Sequence, residues 1–184
     1  MSSRRALVSF GSLQAALAVA LLAGLWLAWP AWRLGTITEQ VRKRYPGVPQ
    51  FSSADLSGWL ADTTKSKPLI LDVRTEPEYA VSHLVGAIRV DPGAELSTLD
   101  LPEDHRRVII AVCTTGERAA AFATRLQESG YSRIFNLEGG IIRWANEGRP
   151  LTDGHRLVTH VQPADDSQIA LLKKVHRAAP VATP

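Results

Sequence analysis

Hydrophobic positions divide the chain into two unlike parts. Residues 6–32 contain no charge, and within them 15–32, AALAVALLAGLWLAWPAW, are apolar on every side. At about 1.5 Å rise per residue, roughly 20 such residues cross a hydrocarbon core of about 30 Å. Trp26, Trp29 and Trp32 gather at the far end, where an aromatic belt would meet the membrane interface. The pattern predicts an uncleaved transmembrane anchor over residues 11–32, after a tail of residues 1–10. A buried core helix would keep a polar face. A cleaved export signal would end in a small-x-small site, whereas the Ala18-Val19-Ala20 triplet lies inside the run. Residues 33–50, polar and basic with Pro46-Gly47 and Pro49 as breakers, read as a juxtamembrane linker.

The remainder alternates short apolar runs with helical periodicity. Ser52 or Ser53 caps a short helix over 54–61, whose apolar face is Leu56, Trp59 and Leu60. Leu69, Ile70 and Leu71 form a strand, Pro77 to Tyr79 a helical turn, and residues 86–90 a second strand. Residues 108–112, VIIAV, are an unbroken buried strand. A helix over 117–128 follows, with Ala119, Phe122, Ala123 and Leu126 at helical spacing, and Gly130 stops it. Residues 134–137 make another strand, and 141–147 a helix ending at Gly148. Strand–helix alternation predicts an α/β domain over residues 51–152, a central, mostly parallel sheet with helices on both faces. Residues 153–184 fall outside the alternation. They hold one weakly amphipathic stretch, 168–177, and a Pro- and Ala-rich end expected to be disordered.

Charge narrows the function classes. The net charge is +3, and much of the excess, Arg4, Arg5, Arg33, Arg42, Lys43 and Arg44, flanks the apolar segment. No basic run interleaved with aromatics occurs elsewhere, so a nucleic-acid surface is not expected. The single cysteine, Cys113, excludes an intrachain disulfide and a cysteine-cluster metal site. His105, His155, His160 and His176 have no ligand-like spacing, and neither metal nor cofactor is expected.

Cys113 stands where the strongest strand runs into a helix, in Val112-Cys113-Thr114-Thr115-Gly116-Glu117-Arg118. In open α/β sheets, ligands bind beyond the carboxyl ends of such strands. A helix N-terminus there presents unpaired backbone N–H groups. They would lower the thiol pKa and hold an anionic adduct such as a persulfide. Thr114 and Thr115 add hydroxyl donors, Gly116 allows a tight curl and Arg118 adds a cation. A lone cysteine after an apolar run ordinarily just ends a strand. Here polar, turn-forming and helix-starting residues follow it. The spacing is Cys-x4-Arg, one residue shorter than the Cys-x5-Arg loop of cysteine phosphatases, and it suits a sulfur atom better than a phosphate.

Three blocks resemble the rhodanese family: Leu71-Asp72-Val73-Arg74 with Glu78-Tyr79, His83 and Gly86-Ala87; the Cys113–Arg118 loop as CxxGxR; and Leu137-Glu138-Gly139-Gly140 with Trp144, Gly148 and Pro150. The resemblance implies a sulfurtransferase. Cys113 is then the nucleophile that takes sulfane sulfur from thiosulfate or a persulfide, and the Thr114–Arg118 backbone is its cradle. The persulfide passes to a thiol or cyanide. A small-molecule or protein sulfur donor and a thiol acceptor are the implied partners, with the membrane engaged through the N-terminal helix. Glu117 nearly cancels Arg118, so the loop is a poor match for dianionic thiosulfate. The alternative is a tethered, non-catalytic binding module. Asp72 and Arg74 are expected as a structural pair, possible partners of Glu78, rather than as substrate contacts. His83 reads as framework rather than general base, Trp59 and Trp144 as core, and Lys173, Lys174 and Arg177 as a solvated face. The Lys and Arg count around the apolar segment leans towards a cytoplasmic domain.

Overall fold

The computed structural model describes residues 10–178, apart from the side chains of residues 10–14, 16 and 21–29. A long helix, α1 (Phe10–Arg44), leads into β1 (Gln50–Phe51), α2 (Ser53–Ala61), β2 (Leu69–Asp72), α3 (Glu76–Val81), β3 (His83–Leu84) and β4 (Ala87–Arg89). After a 3-10 turn at Leu96–Thr98 come β5 (Ile109–Val112), α4 (Glu117–Glu128), β6 (Ile134–Leu137), α5 (Gly140–Asn146), β7 (Leu151–Thr152), β8 (Leu157–Val158) and α6 (Asp166–Ile169). A second 3-10 turn spans Lys174–His176.

Five strands pair in the order β1-β6-β5-β2-β4, every pair parallel. Because β5 is buried on both faces, its side chains alternate between two cores. Ile110 and Val112 join Leu56 of α2 and Ile141, Ile142 and Trp144 of α5 on one face. Ile109, Ala111 and Cys113 join Ala119, Phe122, Ala123 and Leu126 of α4 on the other. Ser52 caps α2, its hydroxyl accepting from the Asp55 N–H at 3.0 Å.

Three features depart from the sequence reading. Residues 33–44, expected as linker, are helical, and they send Leu34 into one core and Val41 into the other. A small antiparallel sheet, β3-β7-β8, ties residues 151–158 back to His83 and Leu84. The extension expected to be partly disordered places Val161, Leu171 and Leu172 in the core, each at most 1% exposed; residues 179–184 lie outside the described set. Among the described residues no helix is long and apolar enough to cross a membrane. The structure thus lends no support to a membrane-spanning helix, though most of the expected anchor, residues 11–32, falls on side chains outside the described set.

Candidate active site

Cys113 follows β5 directly, at the carboxyl edge of the sheet, and the loop it opens enters α4 at Glu117. The turn depends on Gly116, whose φ of 108° lies in the left-handed region. A Cβ there would also stand 3.0 Å from Nδ2 of Asn136. So curled, the loop aims the Gly116 N–H at the Cys113 Sγ, which accepts it at 3.1 Å.

A second element fixes the opposite side of the loop. The N–H groups of Ile141 and Ile142 in α5 donate to the carbonyls of Cys113 and Thr114, at 2.9 and 3.2 Å. This approach requires Gly140, since a Cβ on it would overlap both carbonyl oxygens, lying 2.5 Å from that of Thr114. The loop carbonyls are thereby bonded to α5.

The third support is ionic. Arg118 grips Glu78 of α3 with both arms, Nη2 to Oε1 at 2.7 Å and Nη1 to Oε2 at 3.0 Å. The Thr114 hydroxyl sits inside the fork, accepting from Arg118 at 2.7 Å and donating to Glu78 at 2.9 Å. Glu78 also accepts from the Thr75 N–H and hydroxyl, at 3.0 and 2.8 Å, which closes a capping box on α3. Burial raises the Glu78 carboxyl, but the Arg118 and Thr75 hydrogen bonds outweigh it and bring the pKa down to about 2. Burial works against the Arg118 charge, yet the bond to Glu78 and the field of Cys113 hold its pKa above the usual range.

The remaining expected residues fall around this centre in different roles. Asp72 and Arg74 are fully buried and pair with each other through Nη2 to Oδ2 at 2.7 Å and Nε to Oδ1 at 2.9 Å. Arg74 also donates to the Ser82 carbonyl at 2.5 Å, and the Asp72 carboxylate accepts from the Arg74 N–H at 3.0 Å. These bonds brace the turn between β2 and α3, and the partner of Glu78 is Arg118 rather than this pair. His83 stacks on Tyr79 at 3.8 Å, with Nδ1 facing the Tyr79 carbonyl at 3.0 Å, and so serves the framework. Thr114 and Thr115 are buried, at 1% and 6% exposed. Glu117 turns outward to an ion pair with Arg44 of α1 at 2.6 Å, so a cation absent from the local motif offsets it.

Sequence reasoning missed two pairings and one residue. Glu78 lies 40 positions from Arg118, and Arg44 lies 73 from Glu117. Asn136, fully buried on β6 with its carboxamide against Gly116, carried no motif signal at all.

Comparison with known proteins places the same residues in a wider set. The rhodanese-like domain family matches residues 56–147, half of the chain. A sulfurtransferase of Allochromatium vinosum is 33% identical over 105 residues, covering 56% of this chain and 94% of that protein. A tRNA uridine(34) hydroxylase of Cupriavidus taiwanensis is 29% identical over 115 residues, which are only 41% of its length. Among solved structures, a thiosulfate sulfurtransferase of Pseudomonas aeruginosa superposes with a TM-score of 0.54 at 24% identity, over 73% of this chain and 25% of that one. That likeness is one of fold.

Proposed function

The chain belongs to the rhodanese-like domain family, and from that membership we propose that it is a sulfurtransferase working through a Cys113 persulfide. The observation that carries the reading is the loop itself: Sγ receives the Gly116 N–H at 3.1 Å, and the Arg118–Glu78 fork holds the next residue, Thr114, by its hydroxyl. The Cys113 thiolate attacks the sulfane sulfur of thiosulfate or a persulfide. A new S–S bond forms, the donor's S–S bond breaks, and sulfite or a thiolate leaves with the electron pair. A thiolate or cyanide acceptor then attacks the outer sulfur, and the Cys113 thiolate is released. No net oxidant is consumed. The Gly116 N–H, fixed on the sulfur, favours the anionic states without reorganising. Since Cys113 is the sole cysteine, the acceptor comes from outside the chain.

Intact-mass measurement after exposure to thiosulfate or a low-molecular-weight persulfide tests this. The expected result is a gain of one sulfur atom, absent in Cys113→Ser. No gain with either donor, from a protein whose Cys113 still alkylates, overturns the reading. It would favour a non-catalytic binding module, for which the burial of Cys113, 1% exposed, is the supporting observation.

The domain is further proposed to sit at a membrane, on its cytoplasmic side. The uncharged residues 6–32 support the membrane, as do Leu17, Val19 and Trp32, exposed at 57%, 65% and 64% on α1, and the excess of Arg33, Arg42, Lys43 and Arg44 over Arg4 and Arg5 supports the side. A carboxyl-terminal alkaline phosphatase fusion decides the side, since that reporter needs an oxidising compartment. High reporter activity places the domain outside the cytoplasm.

A further inference from the structure

We propose that the last turns of α1 form a latched cover over the Cys113 loop, which must lift for a sulfur donor to reach the thiol. The proposal rests on the reading of Cys113 as the sulfur-carrying residue and names what regulates access to it.

Cys113, Thr114, Thr115 and Gly116 are all buried, so an external substrate reaches the thiol only past the chain around it. Two of its sides are held by elements within the family-matched residues: α5 takes the carbonyls, and the Glu78–Arg118 fork takes Thr114. Across the rest, α1 is fastened at two points that bracket the loop. Arg44 pairs with Glu117, the first residue of α4, at 2.6 Å. Arg42 pairs with Glu138, the residue after β6, at 2.5 Å. Glu138 is itself steadied by Arg143 at 2.8 Å, and Arg143 also donates to the Thr38 hydroxyl at 3.2 Å. Immediately before Arg42, Val41 enters the same buried cluster as Cys113. Residues 33–44 precede the family-matched stretch that starts at 56, so this cover is an addition to the domain.

The fastening is made to release. Arg44 and Glu117 are both more than half exposed, at 68% and 52% of their side chains, so their pair is weak and screened by salt, and the Arg42 end of the other pair is 48% exposed. At the Arg44–Glu117 pair lies a cavity of about 230 Å³, lined also by Ile37, Gln40 and Val41, so the seam is not densely packed there. Elements with sparse packing and exposed ties are those that open locally.

Alkylation of Cys113 by neutral iodoacetamide, followed by intact mass on the full chain, measures the cover directly. Raising salt from about 0.01 M to about 1 M cuts the screening length from about 30 Å to about 3 Å and is expected to speed labelling of the parent. Arg42→Ala with Arg44→Ala is expected to label about three- to tenfold faster at low salt and to lose the salt response. The exchange Arg44→Glu with Glu117→Arg restores the pair with inverted charge and returns labelling towards the parent rate. Parent labelling indifferent to salt, together with an Arg42/Arg44 variant within about twofold of the parent, overturns the cover. Should that variant fold poorly by circular dichroism, the salt response and the exchanged pair still decide. Faster labelling without persulfide loading would keep the cover and overturn the sulfurtransferase reading instead.

Discussion

Glu78→Gln separates the ionic support of the loop from its shape, because glutamine keeps the side-chain volume and removes the charge. In the folded chain the Glu78 carboxyl is held at about 2 against an ordinary 4.5. That gap corresponds to about 3 kcal/mol of preferential stabilisation of the ionised form. The pKa is depressed on folding, so this contribution is complete above pH 4.5. It erodes as the unfolded chain takes up its proton below that, and is gone near pH 2, where the folded carboxyl protonates too. Glutamine resembles the protonated state throughout. The variant is therefore expected to be about 3 kcal/mol less stable at pH 7, a fall in Tm of about 6–12 °C for a chain of this size. The difference narrows between pH 5 and about pH 2. Urea unfolding of both proteins at pH 7, 5 and 3 measures it, with persulfide loading followed in parallel. Loading is expected to slow, since Arg118 and Thr114 lose the carboxylate that holds their side of the loop. A difference below about 1 kcal/mol at pH 7, or one that stays constant down to pH 3, refutes the ionic account.

Other outcomes follow from the packing. Gly140→Ala, at a φ of 57°, is expected to disrupt the loop and abolish loading, because its Cβ meets the Cys113 and Thr114 carbonyls. Gly148→Ala, at a φ of 72° with nothing within 4 Å, is expected to cost only the backbone strain of about 1–2 kcal/mol and to load normally. Arg74→Met leaves the buried Asp72 carboxylate without its cation and is expected to cost about 3–5 kcal/mol in urea unfolding. Asp72→Leu with Arg74→Met is expected to recover part of that loss; a double variant less stable than Arg74→Met alone would show that the pair does more than neutralise itself.

What the sequence revealed was whatever is local along the chain. Residues 109–112 advertised a buried strand by unbroken apolar character, and residues 117–128 a helix by the spacing of Ala119, Phe122, Ala123 and Leu126. The loop from Cys113 to Arg118 needed only six consecutive residues, so its tight curl from strand into helix could be read directly. Glu78 was visible as part of a signature, but its hold on Arg118 joins two elements that only the sheet order brings together. The docking of α1 was hidden for a similar reason. Leu34 and Val41 are too sparse to mark an amphipathic face, and the acids that receive Arg42 and Arg44 lie 96 and 73 residues away. The short strands β7 and β8, two residues each, carry no period to detect. Leu171 and Leu172 reach the core from a segment only a turn or two long, where helical spacing has no room to appear.

The two ends of the described chain share one interior. Leu34, from before the family-matched residues, and Val161, Leu171 and Leu172, from after them, belong to the same buried cluster as Ile110 and Trp144. The unit that similarity outlines is therefore smaller than the unit that folds. A fragment trimmed to residues 56–147 would strip seven buried apolar side chains from its interior, Val41, Val48 and Leu151 with these four, and leave their neighbours facing water, at roughly 1.5–3 kcal/mol for each side chain of this kind. Against the 5–15 kcal/mol that usually separates folded from unfolded domains, such a fragment has little left to hold it together. Any shortened version that keeps its stability has to begin ahead of Leu34 and run past Leu172.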